Sequence, residues 1–292
     1  MKIILFLIIL VCSTVYGQQL PLYSQYTNNE FLINPSLTGI KNETSFQIGY
    51  RKQWSGFKGS PSTSIVGGQT QITKKNMGLG GLIFLDDRGG AIKQTGFMLN
   101  YSYFIKISGT SKIALGLAGI LNQYTFNSST IIAENTNDKS LFTNLKSTTP
   151  DLNIGASYIN KNFKIGFSIN QIFQSRISKW NELNINADNK LVRHFNFSAS
   201  NIFKLNEKLI IEPYFVGRTI LKNQIQFDFG SSLIYNEKLY CSLGYRTKEA
   251  FILSLGINQK EYSISYSYDI TTSLLRKYSA GTHEIVLKYR FN

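Results

Sequence analysis

Histidine, cysteine, acidic side chains and long apolar runs are all scarce in these 292 residues, and each scarcity excludes something. The two histidines, His194 and His283, lie far apart with no partner at metal-ligand spacing. A zinc site needs three or four ligands, so neither metal nor cofactor is expected. Outside the first residues Cys241 is the only cysteine, and one thiol cannot close an internal disulfide. It alternates with Leu239, Leu243 and Tyr245, as a small apolar residue on a strand face would. After residue 17 no apolar stretch approaches the roughly 20 residues that a membrane-spanning helix needs. No G-x-S-x-G motif is present, and no serine stands beside a supported histidine. The sequence therefore carries no catalytic set, and an enzyme is not expected.

Acidic residues number 17 against 31 lysines and arginines, a formal charge of +14. Basic proteins often bind nucleic acid, but here the charge is scattered along the chain and forms no basic run. Such side chains suit lipid phosphates or an acidic protein partner instead.

The start of the chain has a compartment signature. Lys2 is followed by the apolar run Ile3 to Val11, and Val15 and Gly17 stand in the small-residue positions of a cleavage site before Gln18. Residues 1–17 are expected to be a signal peptide. Cys12 raises the alternative of a lipoprotein, but Val11 is a poor residue before a lipidated cysteine. Export argues further against nucleic acid as a partner.

The rest of the chain is rich in period-two alternation. Phe163, Ile165, Phe167 and Ile169 alternate with Lys164, Gly166, Ser168 and Asn170. Tyr262, Ile264, Tyr266 and Tyr268 alternate with Ser263, Ser265, Ser267 and Asp269, and a long apolar stripe runs from Thr95 to Ile107. A soluble sandwich also alternates. Its inner face, however, would not tolerate Ser, Asn, Gly, Lys and Asp strand after strand, whereas a barrel lumen does. The 20 Phe and 17 Tyr suit aromatic girdles. An apolar content of 42% with mean hydropathy −0.11 fits a chain in which only alternate residues face lipid.

The expected fold is thus an all-β transmembrane antiparallel β-barrel of about 14 strands. The strands are expected near 44–54, 63–73, 78–86, 94–107, 112–124, 151–159, 163–173, 192–203, 208–220, 225–235, 239–246, 250–258, 261–269 and 283–291. Every second connection is tight and polar, as at Lys74-Lys75-Asn76, Asn160-Lys161-Asn162 and Asn236-Glu237-Lys238. Most of the intervening ones are longer, notably 125–150, 174–191 and 270–282. Short periplasmic turns opposite long outer loops are the outer-membrane pattern. The final stripe Ile285, Leu287, Tyr289 and Phe291 resembles the C-terminal signal of barrel-insertion clients. Residues 18–43 are expected to be a periplasmic or lumen-lying lead-in to a barrel spanning 44–292.

Candidate partner-binding or lumen residues follow from the polar face. They are Glu212, Arg218, Asp228, Arg246, Asp269, Glu284 and Arg290, with Lys106, Lys164 and Lys288 beside them. Such groups at membrane depth need partners. They form either a surface for a bound peptide or domain, or a charge ladder that rigidifies the lumen. His194 alternates with Phe195 and Phe197, which places it in the lumen, and His283 is read as a lumen or interface histidine. Asp86, Asp87 and Arg88 end a strand before Gly89-Gly90, where a loop-ordering salt bridge is expected. Gly78-Leu79-Gly80-Gly81 lacks a phosphate loop's lysine and helix, and suits a strand with little bulk on its inner face.

Several spaced signatures carry a family resemblance. Near the start are Gln25-Tyr26 and Asn34-Pro35-Ser36-Leu37-Thr38-Gly39. Next come Tyr50-Arg51-Lys52-Gln53-Trp54-Ser55-Gly56-Phe57 and Gly59-Ser60-Pro61-Ser62-Thr63, then Gly78-Leu79-Gly80 with Asp86-Asp87. Arg193-His194-Phe195, Tyr266-Ser267-Tyr268-Asp269, the run Tyr278 to Ile285 and Tyr289-Arg290-Phe291 complete the series. In this order they resemble the PorP/SprF family of the type IX secretion system of Bacteroidota, over nearly the whole mature chain. The resemblance implies a non-enzymatic outer-membrane barrel working in secretion and gliding motility. It implies two kinds of partner besides membrane lipid: the C-terminal domain of a secreted adhesin, or a peptidoglycan-binding periplasmic lipoprotein. It also marks Arg51 and Trp54 as candidate contacts. A polar lumen alone would equally suit a diffusion channel or small-molecule transporter.

Overall fold

The structure is a computed structural model in which residues 20–128, 145–177, 190–220 and 224–291 are described. The expected signal peptide lies outside the described residues. Fourteen antiparallel strands form one closed sheet. They are β1 (Thr44–Lys52), β2 (Ser62–Ile72), β3 (Met77–Asp87), β4 (Ile92–Lys106), β5 (Lys112–Phe126), β6 (Leu145–Ile159) and β7 (Phe163–Asn170). The second half comprises β8 (His194–Asn201 continued by Phe203–Lys204), β9 (Leu209–Ile220), β10 (Gln224–Tyr235), β11 (Leu239–Arg246), β12 (Ala250–Asn258), β13 (Tyr262–Thr271) and β14 (Thr282–Phe291). Each strand pairs with its sequence neighbour, and β14 closes on β1 from Thr44↔Phe291 to Lys52↔His283. The short break in β8 lies opposite Pro213 of β9, which has no N–H to donate, and the register is the same on both sides of it.

Alternation fixes which face meets lipid. On β4, Phe97, Leu99, Tyr101, Tyr103 and Ile105 are exposed on the outside, while Gln94, Met98, Asn100 and Ser102 are buried inside. The same two-sided pattern recurs around the ring, so the outer surface is apolar and aromatic. Cys241 sits half-buried on that outer face as a free thiol. Tight turns gather at one end of the barrel. In one of them Asn236 and Glu237 both adopt positive φ, as a type I′ hairpin turn requires. By the outer-membrane rule this end faces the periplasm.

Most strand limits fall within two residues of the sequence expectation, and two differ by more. β6 begins at Leu145, six residues before 151. Its extra segment presents Lys146, Thr148 and Pro150 outward, so the apolar stripe vanishes where the strand stands clear of the lipid. Pro150 is tolerated because this stretch has a ladder partner only on β5. β7 ends at Asn170 and not at 173, because Gln171 adopts a left-handed φ of 60°.

The lumen is filled by the chain's own residues 20–43. This plug starts among side chains at the outer end and descends through three short 3₁₀ turns, Tyr26–Asn28, Glu30–Leu32 and Pro35–Leu37. It enters β1 at the periplasmic end. Three apolar anchors hold it to the wall. Phe31 packs with Ile65, Leu82, Met98 and Ala118; Leu37 with Phe104, Ala114 and Ile159; Tyr26 with Tyr214 and Val216.

Candidate functional site

The plug's last turn, Pro35–Leu37, is cut to the glycines of the wall. Pro35 presets φ for the first turn position, and Asn34 before it is extended, with its side chain accepting from the Ser36 N–H at 3.0 Å. Asn34 Oδ1 also accepts from Ser36 Oγ at 2.7 Å, while Asn34 Nδ2 donates to Ser157 Oγ at 3.1 Å and Phe167 O at 3.3 Å. Gly116, Gly155 and Gly166 form the wall here. A Cβ on Gly116 would stand 2.1 Å from Ser36 N, and one on Gly155 would stand 2.0 Å from Asn34 Oδ1. Lower down, a Cβ on Gly78 would meet Thr38 O at 2.1 Å. Within the Gly78–Gly81 run, Gly78 is therefore bare because the plug backbone lies against it, and Gly80 because the Thr38 side chain does, whereas Gly81 meets only the wall.

At the outer end a buried charge network binds the plug's first turns. Arg51 pairs with Asp269 at 2.8 Å and Glu284 at 2.9 Å. Arg246, wholly buried, pairs with Asp228 at 3.1 Å and lies 3.8 Å from Asp269; Arg218 reaches Asp228 at 3.3 Å. The plug completes the network. Ser24 N–H donates to Glu284 and Ser24 Oγ to Asp269, while Arg246 donates to Tyr23 O at 2.8 Å and Tyr26 OH at 2.7 Å. The Arg218 guanidinium stacks 4.5 Å from the Tyr26 ring centroid. Burial raises the pKa of both Tyr23 and Tyr26, so both phenols stay neutral. Nearer the periplasm, Lys164 bonds Glu30 and lies 3.6 Å from Glu212, and Lys288 donates to Asn28 O at 2.8 Å. Burial works most strongly, to raise the Glu30 pKa, yet Lys164, by charge and hydrogen bond, together with Lys41 and Lys288 outweighs it, and the carboxyl is held below its ordinary value.

The structure thus gathers Arg51, Glu212, Arg218, Asp228, Arg246, Asp269 and Glu284 in the lumen around the plug, with Arg218 also bordering a space left beside it. Arg290 lies at the periplasmic rim, paired with Glu43 at 3.3 Å. Asp86 faces inward, bonded to Thr63 at 2.6 Å and Arg88 at 2.7 Å. Asp87 points the other way and accepts from the Gly90 N–H at 2.6 Å, so this cluster orders a loop. His194 lines the lumen. Trp54 belongs to the outer loop between β1 and β2, with its N–H on Thr282 Oγ1 at 3.0 Å. Two placements need correction. His283 is not a lumen residue: Glu284 faces inward, so its neighbour must face out, and His283 packs between Tyr266 and Tyr268 on the outer surface. Lys106 is exposed at the end of β4, one step beyond the last lumen residue, Phe104.

Sequence reasoning missed the plug's own partners, Tyr23, Ser24 and Glu30. The one available signal was the pairing of an Asn-Pro-x-x-x-Gly segment with strands whose inner faces are glycine. Beside the plug, a cavity of about 170 Å³ remains between residues 20–33 and the outer halves of β3 to β10. Among the described residues no three of His, Cys, Asp and Glu gather closely enough to hold a metal.

With the plugged barrel described, comparison decides the family. The model for the type IX secretion system membrane protein PorP/SprF matches residues 15–289. The chain belongs to the PorP/SprF family. Family and fold are those of a non-enzymatic outer-membrane barrel, which places the chain in the outer membrane. No curated protein matches it by sequence. Among solved structures, the Pseudomonas putida toluene transporter TodX matches with TM-score 0.52 at 9% identity, over 91% of this chain and 95% of that one. The Ralstonia pickettii toluene transporter TbuX gives 0.50 at 10%, covering 90% and 93%, and Acinetobacter baumannii Omp33 gives 0.50 at 7%, covering 86% and 99%. At such identities these likenesses show the barrel fold alone. What sets this PorP/SprF barrel to work is sought in its plug and rims.

Proposed function

We propose that this barrel is a closed docking component of the type IX secretion and gliding apparatus. It binds the C-terminal domain of a secreted adhesin, or a periplasmic partner, and so supports export or surface attachment. The observation that carries this reading is the filled lumen: charges that could have lined a conducting path are spent on the chain's own residues 23–30, which leaves the two rims as partner surfaces. At the outer rim the β1–β2 loop is tied to the β13–β14 loop by Ser55 N–H on Gly281 O at 2.7 Å and Ala280 N–H on Ser55 O at 2.6 Å. This clasp presents Phe57, Leu274 and Tyr278 to solvent, Leu274 at 88% exposure, an apolar group of the kind that marks interaction sites. At the periplasmic rim the tight turns expose Lys74, Lys75, Lys161, Lys208, Lys238 and Lys260, which suits an acidic partner. Adhesin docking is assigned to the first surface and the periplasmic partner to the second.

The test is deletion of the gene in its host, with complementation by the Leu274→Ser/Tyr278→Ser variant. Deletion is expected to strand a surface protein inside the cell or release it to the medium, and the double variant is expected to reproduce the release. Unchanged surface proteins in both strains would refute the assignment. A second reading, passage of small molecules, draws on the remaining cavity and on the transporters among the structural neighbours. A steady open conductance of the wild-type protein in planar bilayers would favour it.

A further inference from the structure

The cavity beside the plug has one polar corner that the plug leaves unused. At the end of β7 the left-handed φ of Gln171 breaks the alternation of the strand, so that Asn170 and Gln171, consecutive in sequence, both face inward and are both buried. A strand normally turns successive side chains to opposite faces, and a non-glycine residue at positive φ carries a conformational cost that clusters at functional positions. The Gln171 backbone is held there by its N–H on Asn153 Oδ1 at 2.9 Å. Its side chain is 1% exposed, lines the cavity, and has neither amide oxygen nor amide nitrogen in a hydrogen bond. Asn170 Oδ1 and His194 Nε2, which line the same corner, are also unpartnered. Buried polar groups of this kind ordinarily find partners.

Across from this corner the cavity is apolar, lined by Leu22 of the plug with Met98 and Ile120 of the wall. The only lysine, arginine or carboxylate among the described lining residues is Arg218, and it is already engaged by Asp228 and Gln226. The volume is about 170 Å³, and an apolar cavity of about 150 Å³ holds a benzene ring. Room therefore exists for one apolar side chain or ring beside the polar corner, the remainder of a longer ligand reaching out through the cavity's open side.

We propose that this corner is a binding site for a neutral amide carrying an apolar group: Gln171 pairs its donor and acceptor with the ligand's C=O and N–H, and the apolar group lies against Leu22, Met98 and Ile120. A carboxamide presents donor and acceptor side by side, which is the complement of another primary amide or of the N–H and C=O of one extended residue, since the two groups of a single trans peptide unit point opposite ways. The ligand is a residue of an inserted peptide or a free small amide. The inference stands apart from the secretion role proposed above, since the site would bind its probe whichever rim meets a partner.

The experiment uses the full barrel in nanodiscs and calorimetric or ligand-observed NMR titration with four probes: N-acetyl-leucinamide, N-acetyl-leucine, toluene and acetyl-Gly-Leu-Gly-amide. N-acetyl-leucinamide is expected to bind at least about tenfold more tightly than the carboxylate or toluene. Gln171→Met, which removes both polar atoms, is expected to weaken it about tenfold or more, and so is Ile120→Phe, which fills the apolar side from a different strand. Tighter binding of the tripeptide amide supports the site and names a peptide as its source; weaker binding supports the site and names a small amide. Toluene or the carboxylate binding as well as the amide overturns the proposal. So do absence of binding by all four probes and wild-type affinity in both variants.

Discussion

Replacing Gly116 by alanine puts the plug's fit to the wall under direct strain. The new methyl carbon would lie 2.1 Å from Ser36 N and 2.3 Å from Pro35 C, and both are backbone atoms that no rotamer change can move. The Pro35–Leu37 turn has to leave its seat. In doing so it gives up its bonds to the wall, from Asn34 Nδ2 to Ser157 Oγ and to Phe167 O and between Ser36 Oγ and Ser157 Oγ. At about 1 kcal/mol each this amounts to about 3 kcal/mol, which corresponds to a roughly 100-fold larger displaced fraction. Gly119→Ala is the control on the same strand, because a methyl group there meets nothing within 4 Å. The readouts are planar-bilayer conductance and amide hydrogen exchange over residues 30–40. Gly116→Ala is expected to add transient openings and to speed exchange, while Gly119→Ala matches the wild type. If Gly116→Ala is as silent and as protected as the wild type, the plug does not depend on the glycine seat and the reasoning fails.

Further outcomes follow from the same contacts. Arg246→Met strands Asp228, 1% exposed at its side chain, with Arg218 as its remaining cation; breaking such a buried pair is expected to cost about 3–5 kcal/mol, measured by urea unfolding in vesicles. The Glu30 carboxyl, held below its ordinary pKa by Lys164, binds its proton less readily when folded than when unfolded. Its contribution to plug seating is therefore complete above about pH 4.5 and is lost as pH falls through the lower folded value. Protection of the plug amides, corrected for the intrinsic exchange rate, is expected to fall on acidification below pH 4.5, and Glu30→Gln to show the lower protection already at neutral pH. Leu99→Arg, at the middle of the lipid face of β4, is expected to cost about 2–4 kcal/mol of membrane-refolded stability, whereas Leu99→Phe is expected to be near neutral.

The outer-membrane barrel was legible because its two determinants are local. Alternation such as Phe163 to Asn170 reports which side chains meet lipid without any knowledge of the partner strand, and Asn236-Glu237-Lys238 declares a turn from its own residues. The even strand count and the inward placement of Asp228, Arg246, Asp269 and Glu284 follow from that pattern alone. It missed the outer part of β6, which loses its apolar stripe beyond the lipid, and it left His283 between lumen and interface although the inward Glu284 beside it turns that histidine outward.

What fills the bore was a matter for the tertiary structure. Alternation says that a face is sheltered from lipid, but water, a ligand and the chain's own residues shelter it equally well. Only the fold brings Ser24 to Asp269 and Arg51, 245 residues and 27 residues away along the chain, and seats Asn34 against Gly155. Those contacts close between groups with no sequence proximity. Gly78, Gly116, Gly155 and Gly166 gained their meaning only when the plug was found lying against them, its backbone at the first two and the Asn34 side chain at the others.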